Sequence, residues 1–109
     1  MISRTFIQDW TDTEILWKGK LSRRFKGEWG FYTTYSVVIS KFPAIFFYDT
    51  KKTQLKFEYN LKNDYKIEWI SSNKGLIRPI SGTGKIVKFK TDKDLLVEGL
   101  ISYVQSRLV

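Results

Sequence analysis

The 109-residue chain contains no cysteine and no histidine, and each absence removes a class of chemistry. Without cysteine there is no disulfide framework and no thiolate zinc site. That suits a reducing compartment without requiring one. Without histidine the chain lacks imidazole metal ligands, Ser/His and Cys/His nucleophilic machinery and the usual general base near neutral pH. Long apolar runs are missing too. The longest, Ala44-Ile45-Phe46-Phe47-Tyr48, is strand-sized, against the roughly 20 residues of a membrane span. Met1-Ile2-Ser3-Arg4 is not followed by the apolar core of a secretory leader. Acidic residues are in the minority, 11 against 19 lysines and arginines, and the formal net charge of +8 points to an anionic partner. The expected molecule is a single soluble domain that meets a membrane only at its surface, with enough apolar residues, 42%, to form a core unaided.

What is present reads mainly as strands. The arm from 1 to 14 is mostly polar, with Ile2, Phe6, Ile7 and Trp10 as its large apolar residues. From Ile15 the pattern has period two: Ile15, Trp17, Gly19 and Leu21 alternate with Leu16, Lys18, Lys20 and Ser22. Arg23-Arg24-Phe25-Lys26-Gly27 reads as a hairpin loop. Phe31–Ile39 is rich in Tyr, Thr, Val and Ile, Lys41-Phe42-Pro43 turns the chain into Ile45–Tyr48, and Asp49-Thr50-Lys51-Lys52 turns it again. Leu55, Phe57 and Tyr59 alternate with charges, as do Tyr65, Ile67 and Trp69, and two segments around Ser81-Gly82-Thr83-Gly84 form a last hairpin. The period then changes. Thr91 or Asp92 caps a helix whose apolar stripe is Val97, Leu100, Ile101, Val104 and Leu108. The expected fold is mainly β: a seven-stranded antiparallel barrel or sandwich over residues 15–109, its open end capped by one C-terminal helix.

These residues resemble the pleckstrin-homology (PH) domain of the phosphoinositide-dependent protein kinase family. The resemblance runs from about Ile15 to Leu108 and rests on Trp17-Lys18-Gly19, the basic first hairpin, Ser36-Val37-Val38-Ile39-Ser40, Pro43, Phe46-Phe47-Tyr48-Asp49, Leu55-Lys56 and the strand beginning at Lys85. It implies the same barrel, no catalysis, and binding of inositol phospholipids by basic residues at the barrel's open end. Carried over by position, Lys18, Lys56 and Lys85 match basic residues of the family, and Arg23, Arg24 and Lys26 stand in its basic first loop. Two departures accompany it. Thr33-Thr34-Tyr35 replaces an arginine cluster that grips phosphate, and Val97 stands where a helix tryptophan is common. Threonine and tyrosine cannot supply arginine's rigid bidentate donors.

The candidate binding residues are therefore Lys18, Lys20, Arg23, Arg24, Lys26, Lys56 and Lys85, the first five falling within nine residues. They read either as a headgroup site or as a solvated basic hairpin. Phe25 and Trp29 read either as membrane-dipping rings or as core anchors. Phe46, Phe47, Phe57, Tyr59, Trp69 and Phe89 read as core. Ser81-Gly82-Thr83-Gly84 lacks the spacing and following helix of a phosphate cradle, and Asp9, Asp12 and Glu14 fit no cation-loop pattern. No catalytic residue, cofactor or metal is expected. The expected partners are anionic phospholipid headgroups, phosphoinositides in particular, at the cytosolic face of membranes. An acidic protein partner is the alternative, and nucleic acid is the least favoured.

Overall fold

The computed structural model describes residues 4–25, 31–71 and 73–91. The expected helix, with Val97 and the rest of its stripe, lies outside the described residues, as do Lys26 and Trp29. Seven antiparallel strands form one sheet: β1 (Ile15–Phe25), β2 (Thr33–Ser40), β3 (Ala44–Tyr48), β4 (Leu55–Asn60), β5 (Tyr65–Ser71), β6 (Lys74–Pro79) and β7 (Val87–Lys90). Their order is β4-β3-β2-β1-β7-β6-β5. The sheet curls until its two edge strands approach, where the Tyr59 and Tyr65 rings meet edge to face at 5.0 Å.

The alternation read from the sequence decides which side chains enter the curl. Leu21, Val37, Ile39, Ile45, Phe47, Tyr59, Ile77, Val87 and Phe89 form one buried interior, with Trp17, Tyr35, Phe57, Tyr65 and Trp69 packed against it. The aromatic residues join edge to face, Tyr35 to Phe47 at 5.8 Å and to Phe57 at 5.7 Å, and Trp69 to Phe89 at 5.4 Å. Each such ring pair adds about 0.5–1.5 kcal/mol beyond the area it buries.

β1 is longer than the sequence pattern suggests. Arg23 and Arg24 are not in a hairpin loop: Ser22–Phe25 pair with Lys90–Val87 of β7, so a strand distant in sequence extends β1 to Phe25. Residues 23–25 belong to a stretch of turn-like composition, but for them ladder pairing with β7 prevails over it.

The arm is the second departure. Ile7 and Trp10 are buried on the outer face of β2 and β3 with Val38, Ala44, Phe46 and Tyr48, forming a second small core. Trp10 Nε1 donates to Tyr48 Oη at 2.7 Å, and Tyr48 Oη donates to the Arg4 carbonyl at 2.7 Å. Backbone bonds from Ile7 N to Thr53 O (3.0 Å) and from Leu55 N to Thr5 O (2.8 Å) tie the arm to the β3–β4 turn. Asp49 organises that turn. Its carboxylate accepts the Lys52 and Lys51 backbone N–H groups at 2.7 Å each, and these bonds hold it below the ordinary carboxylate range. Phe46, which sequence alone assigned to a core, lies in this outer cluster, 4.8 Å from Trp10.

Candidate functional site

Strand alternation divides the sequence-proposed cations. Lys18 and Lys20 are exposed on the outer face of β1, beside Val38 and Ser36 of β2. Arg24 shares that face, about 20 Å along the strand from Lys18 at 3.3 Å per residue. Lys56 is exposed on β4 at a bulge in the β3–β4 pairing, three strands or about 14 Å across the sheet from β1. Lys85 is exposed in the turn that leads into β7. Lys18, Lys20, Lys56 and Lys85 do not form one compact cluster with Arg24.

Arg23 points the other way. Being one residue out of phase with Lys18, Lys20 and Arg24, it enters the barrel and is only 4% exposed. Its guanidinium carbon lies 3.6 Å from the Phe57 ring centroid and 5.5 Å from that of Phe47, and Nη2 donates to Tyr59 Oη at 2.7 Å. It is a core residue in this fold, so its place among the solvent-facing candidates is corrected.

The structure gathers other cations around Arg24. In the pairing register, Lys90 of β7 stands opposite Ser22 of β1 on one side and Lys74 of β6 on the other. Lys88 stands opposite Arg24 on one side and Leu76 on the other. Two neighbouring rows on one sheet face thus carry Lys74, Lys88, Lys90 and Arg24. The rows are about 7 Å apart and the strands about 4.8 Å apart. The Tyr32 ring lies against this group, with the Arg24 guanidinium 4.8 Å and the Lys90 ammonium 4.5 Å from its centroid. A cleft of about 320 Å³ opens between Arg24, Tyr32, Ile70, Lys74 and Lys88. Among the described residues no acidic side chain lines it, and Glu68 on the neighbouring strand is bound to Arg78 at 2.7 Å.

Sequence reading did not single out Lys74, Lys88, Lys90 or Tyr32. Lys88 and Lys90 alternate with Val87 and Phe89, which marks them as sharing one face. Only the β1–β7–β6 register brings that face beside Arg24.

Among the described residues, no group of three or more acidic side chains converges on a metal-sized site, and no helix is long and apolar enough to cross a membrane. Ser81–Gly84 is a surface turn, with Gly82 and Gly84 at φ of 81° and 107°.

No protein-family model matches the chain, and no curated protein sequence matches it. Solved structures do. The solution structure of the PH domain of human pleckstrin homology domain-containing protein family A member 5 aligns with a TM-score of 0.65 at 14% identity, covering 89% of this chain and 79% of that one. A chain in the crystal structure of human RhoA in complex with the DH/PH fragment of PDZRHOGEF aligns with a TM-score of 0.67 at 11% identity over 87% of this chain. A chain from Vav1 inhibited by an allosteric inhibitor aligns at 0.65 and 11% over 84%. The chain spans only 28% and 17% of the last two. The likeness defines the architecture as PH-like: mainly β, with seven antiparallel strands in one curled sheet.

Proposed function

We propose that the chain is a non-catalytic PH-like binding module that brings its parent protein to anionic membrane surfaces. The observation that carries this reading is the outer face of β1 and its neighbours, where Lys18, Lys20 and Arg24 continue into Lys88, Lys90 and Lys74. Near an anionic bilayer each basic residue contributes about 1 kcal/mol, less with screening. The resemblance to the phosphoinositide-dependent kinase family supports phosphoinositides as the lipid class, the cytosolic face as the location and a signalling protein as the parent. Co-sedimentation with phosphatidylserine-containing vesicles tests it. The protein should pellet at low salt and be released at high salt. A protein that stays in the supernatant at low salt overturns this reading.

A protein-interaction domain is the second reading. It is favoured by Thr33 and Thr34, which are exposed on β2 where the resemblance calls for phosphate-gripping arginines. The RhoA complex containing a DH/PH fragment gives a precedent of a PH-bearing protein in a protein complex. On this reading an acidic polypeptide such as polyglutamate binds the protein under conditions where the vesicles do not.

A further inference from the structure

We propose that the free edge of β5 (Tyr65–Ser71) is the pairing surface of a symmetric homodimer, in which β5 of a second copy of the chain adds antiparallel about Ile67. The inference goes beyond the binding function above and holds whichever anionic partner the module takes.

Three observations carry it. First, the edge is open. The strand order ends at β5, which pairs with β6 alone, and no other backbone bond from the described residues reaches Tyr65–Ser71. At the opposite end of the order β4 is covered where it begins, because Leu55 N donates to Thr5 O at 2.8 Å and Phe6 bridges to Gln54. A row of unpaired N–H and C=O groups is a template for another strand.

Second, the edge is self-complementary in one register. A two-fold axis perpendicular to the sheet sets residues of the same face opposite one another, so it passes through a single residue. Centred on Ile67, it places Lys66 opposite Glu68 of the second copy and Glu68 opposite Lys66 of the second copy, all on the outer face. On the inner face Tyr65 then stands opposite Trp69 of the second copy. Both residues are only partly buried although they pack against the interior, and aromatic cross-strand pairs stabilise a ladder. Centred on Lys66 or on Glu68, the axis would oppose like charges, which is destabilising. The charges thus select one register.

Third, Lys66 lacks an acid within its own sheet. Its partner in the β5–β6 register is Arg78, a like charge, and Arg78 is bound to Glu68 at 2.7 Å. Among the described residues Lys66 makes no ion pair. The Glu68 side chain is still 51% exposed, which leaves it free to accept from a second cation. A second copy supplies Lys66 with the acid that β6 does not. The contact is one strand of seven residues, about 23 Å at 3.3 Å per residue. That is small for a permanent dimer, so the association is reversible and concentration-dependent.

Sedimentation velocity of the full chain over about a hundredfold range of concentration tests it. The wild type should shift from monomer to dimer. Lys66→Glu opposes two pairs of acids across the axis, and Glu68→Lys opposes two pairs of lysines, so each variant alone should associate at least about tenfold more weakly. An equimolar mixture of the two should recover the dimer, because each acid then faces a lysine. Lys56→Glu, the same change on β4, should associate as the wild type does. A second measurement reads the register. The chain has no cysteine, and the axis brings residue 67 of both copies to a Cα separation of about 4.5–5.5 Å, within disulfide reach. Under mild oxidation Ile67→Cys should give a covalent dimer on a non-reducing gel, whereas Ser81→Cys in its exposed turn should remain a monomer. A wild type that stays monomeric at every concentration overturns the proposal. So does a mixture that associates no better than its components, or covalent dimer formed equally by Ile67→Cys and Ser81→Cys.

Discussion

Arg23 and Tyr59 are joined inside the barrel, Nη2 to Oη at 2.7 Å, and the same guanidinium lies 3.6 Å from the centre of the Phe57 ring. A cation in a basic hairpin has become part of an aromatic core spanning β1, β2, β3 and β4. Its role follows from its neighbours. Aromatic faces attract the guanidinium, and the phenol oxygen accepts one of its N–H groups.

Arg23→Ala should therefore act on stability. It removes a buried side chain, leaves Tyr59 Oη without this donor and opens a cavity, for a loss of about 2–4 kcal/mol. Arg23→Met fills much of the volume without a charge to desolvate and should lose less. Urea unfolding measures both. Vesicle binding by either variant, assayed well below its melting temperature, should match the wild type. A selective loss of binding at unchanged stability would instead return Arg23 to the ligand site.

The N-terminal arm should behave as structure. Trp10 is 8% exposed, packs at 4.8 Å against Phe46 and donates to Tyr48. Trp10→Ala should cost about 3–5 kcal/mol, and Trp10→Phe much less, because it gives up mainly the hydrogen bond, about 1 kcal/mol. Hydrogen exchange provides a second check: the Ile7 amide, bonded to Thr53 O, should lose protection in Trp10→Ala before the β1–β2 ladder does. An arm that merely frays would leave the urea midpoint unchanged in both variants.

The strand order was legible because one face of most strands is buried and the other wet, so Leu55–Tyr59 and Tyr65–Trp69 display their period in the sequence. Two other features were not. The arm has no periodicity of its own. Ile7 and Trp10 are buried only because β2 and β3 present Val38 and Phe46 outward, and a wholly buried strand such as Ala44–Tyr48 gives no sign of having a second apolar face. The cationic cluster was half legible. Arg24 stood out within its run, whereas Lys74, Lys88 and Lys90 come from strands some fifty or more residues later and reach it only through the register. Arg23 was misassigned because a turn-like composition hid one more step of alternation, which the pairing with β7 reveals.

Two strand glycines are places of close approach. A Cβ on Gly19 would stand 2.5 Å from the Trp17 ring, and one on Gly75 would stand 2.6 Å from the Phe89 ring. Trp17 and Phe89 each lie across a glycine on the inner face, which gives the Trp17-Lys18-Gly19 sequence a packing reason. Gly19→Ala and Gly75→Ala should each lower stability by about 1–3 kcal/mol through overpacking. Gly75→Ala should also shift the near-ultraviolet circular dichroism of Trp69, which contacts Phe89 at 5.4 Å. Pairing Gly19→Ala with Trp17→Leu, which withdraws the ring, should recover part of the loss. A double variant no better than the sum of the two singles would exclude the Trp17 contact as the cause.

The buried tyrosines predict how the domain fails in alkali. Burial raises the Tyr59 hydroxyl above its ordinary value of 10.0, with Arg23 pulling the other way, and burial likewise raises Tyr48. In both, the folded state holds its proton more tightly than the unfolded chain. Their contribution to stability is fully present below about pH 10 and is lost as pH rises through the raised native values. Wild-type urea midpoints should therefore fall between about pH 10 and about pH 11.5 by more than those of a Tyr48→Phe/Tyr59→Phe variant. The variant starts lower, because Trp10 loses its acceptor and Arg23 loses its bond to Tyr59, but it has two fewer groups to ionise on unfolding. Lysine titration is common to both proteins and cancels in the difference. Tyrosinate absorbance gives the complementary reading, with a late fraction that appears only together with unfolding in the wild type and is missing from the variant. Parallel slopes in the two proteins would place the alkaline transition on other groups.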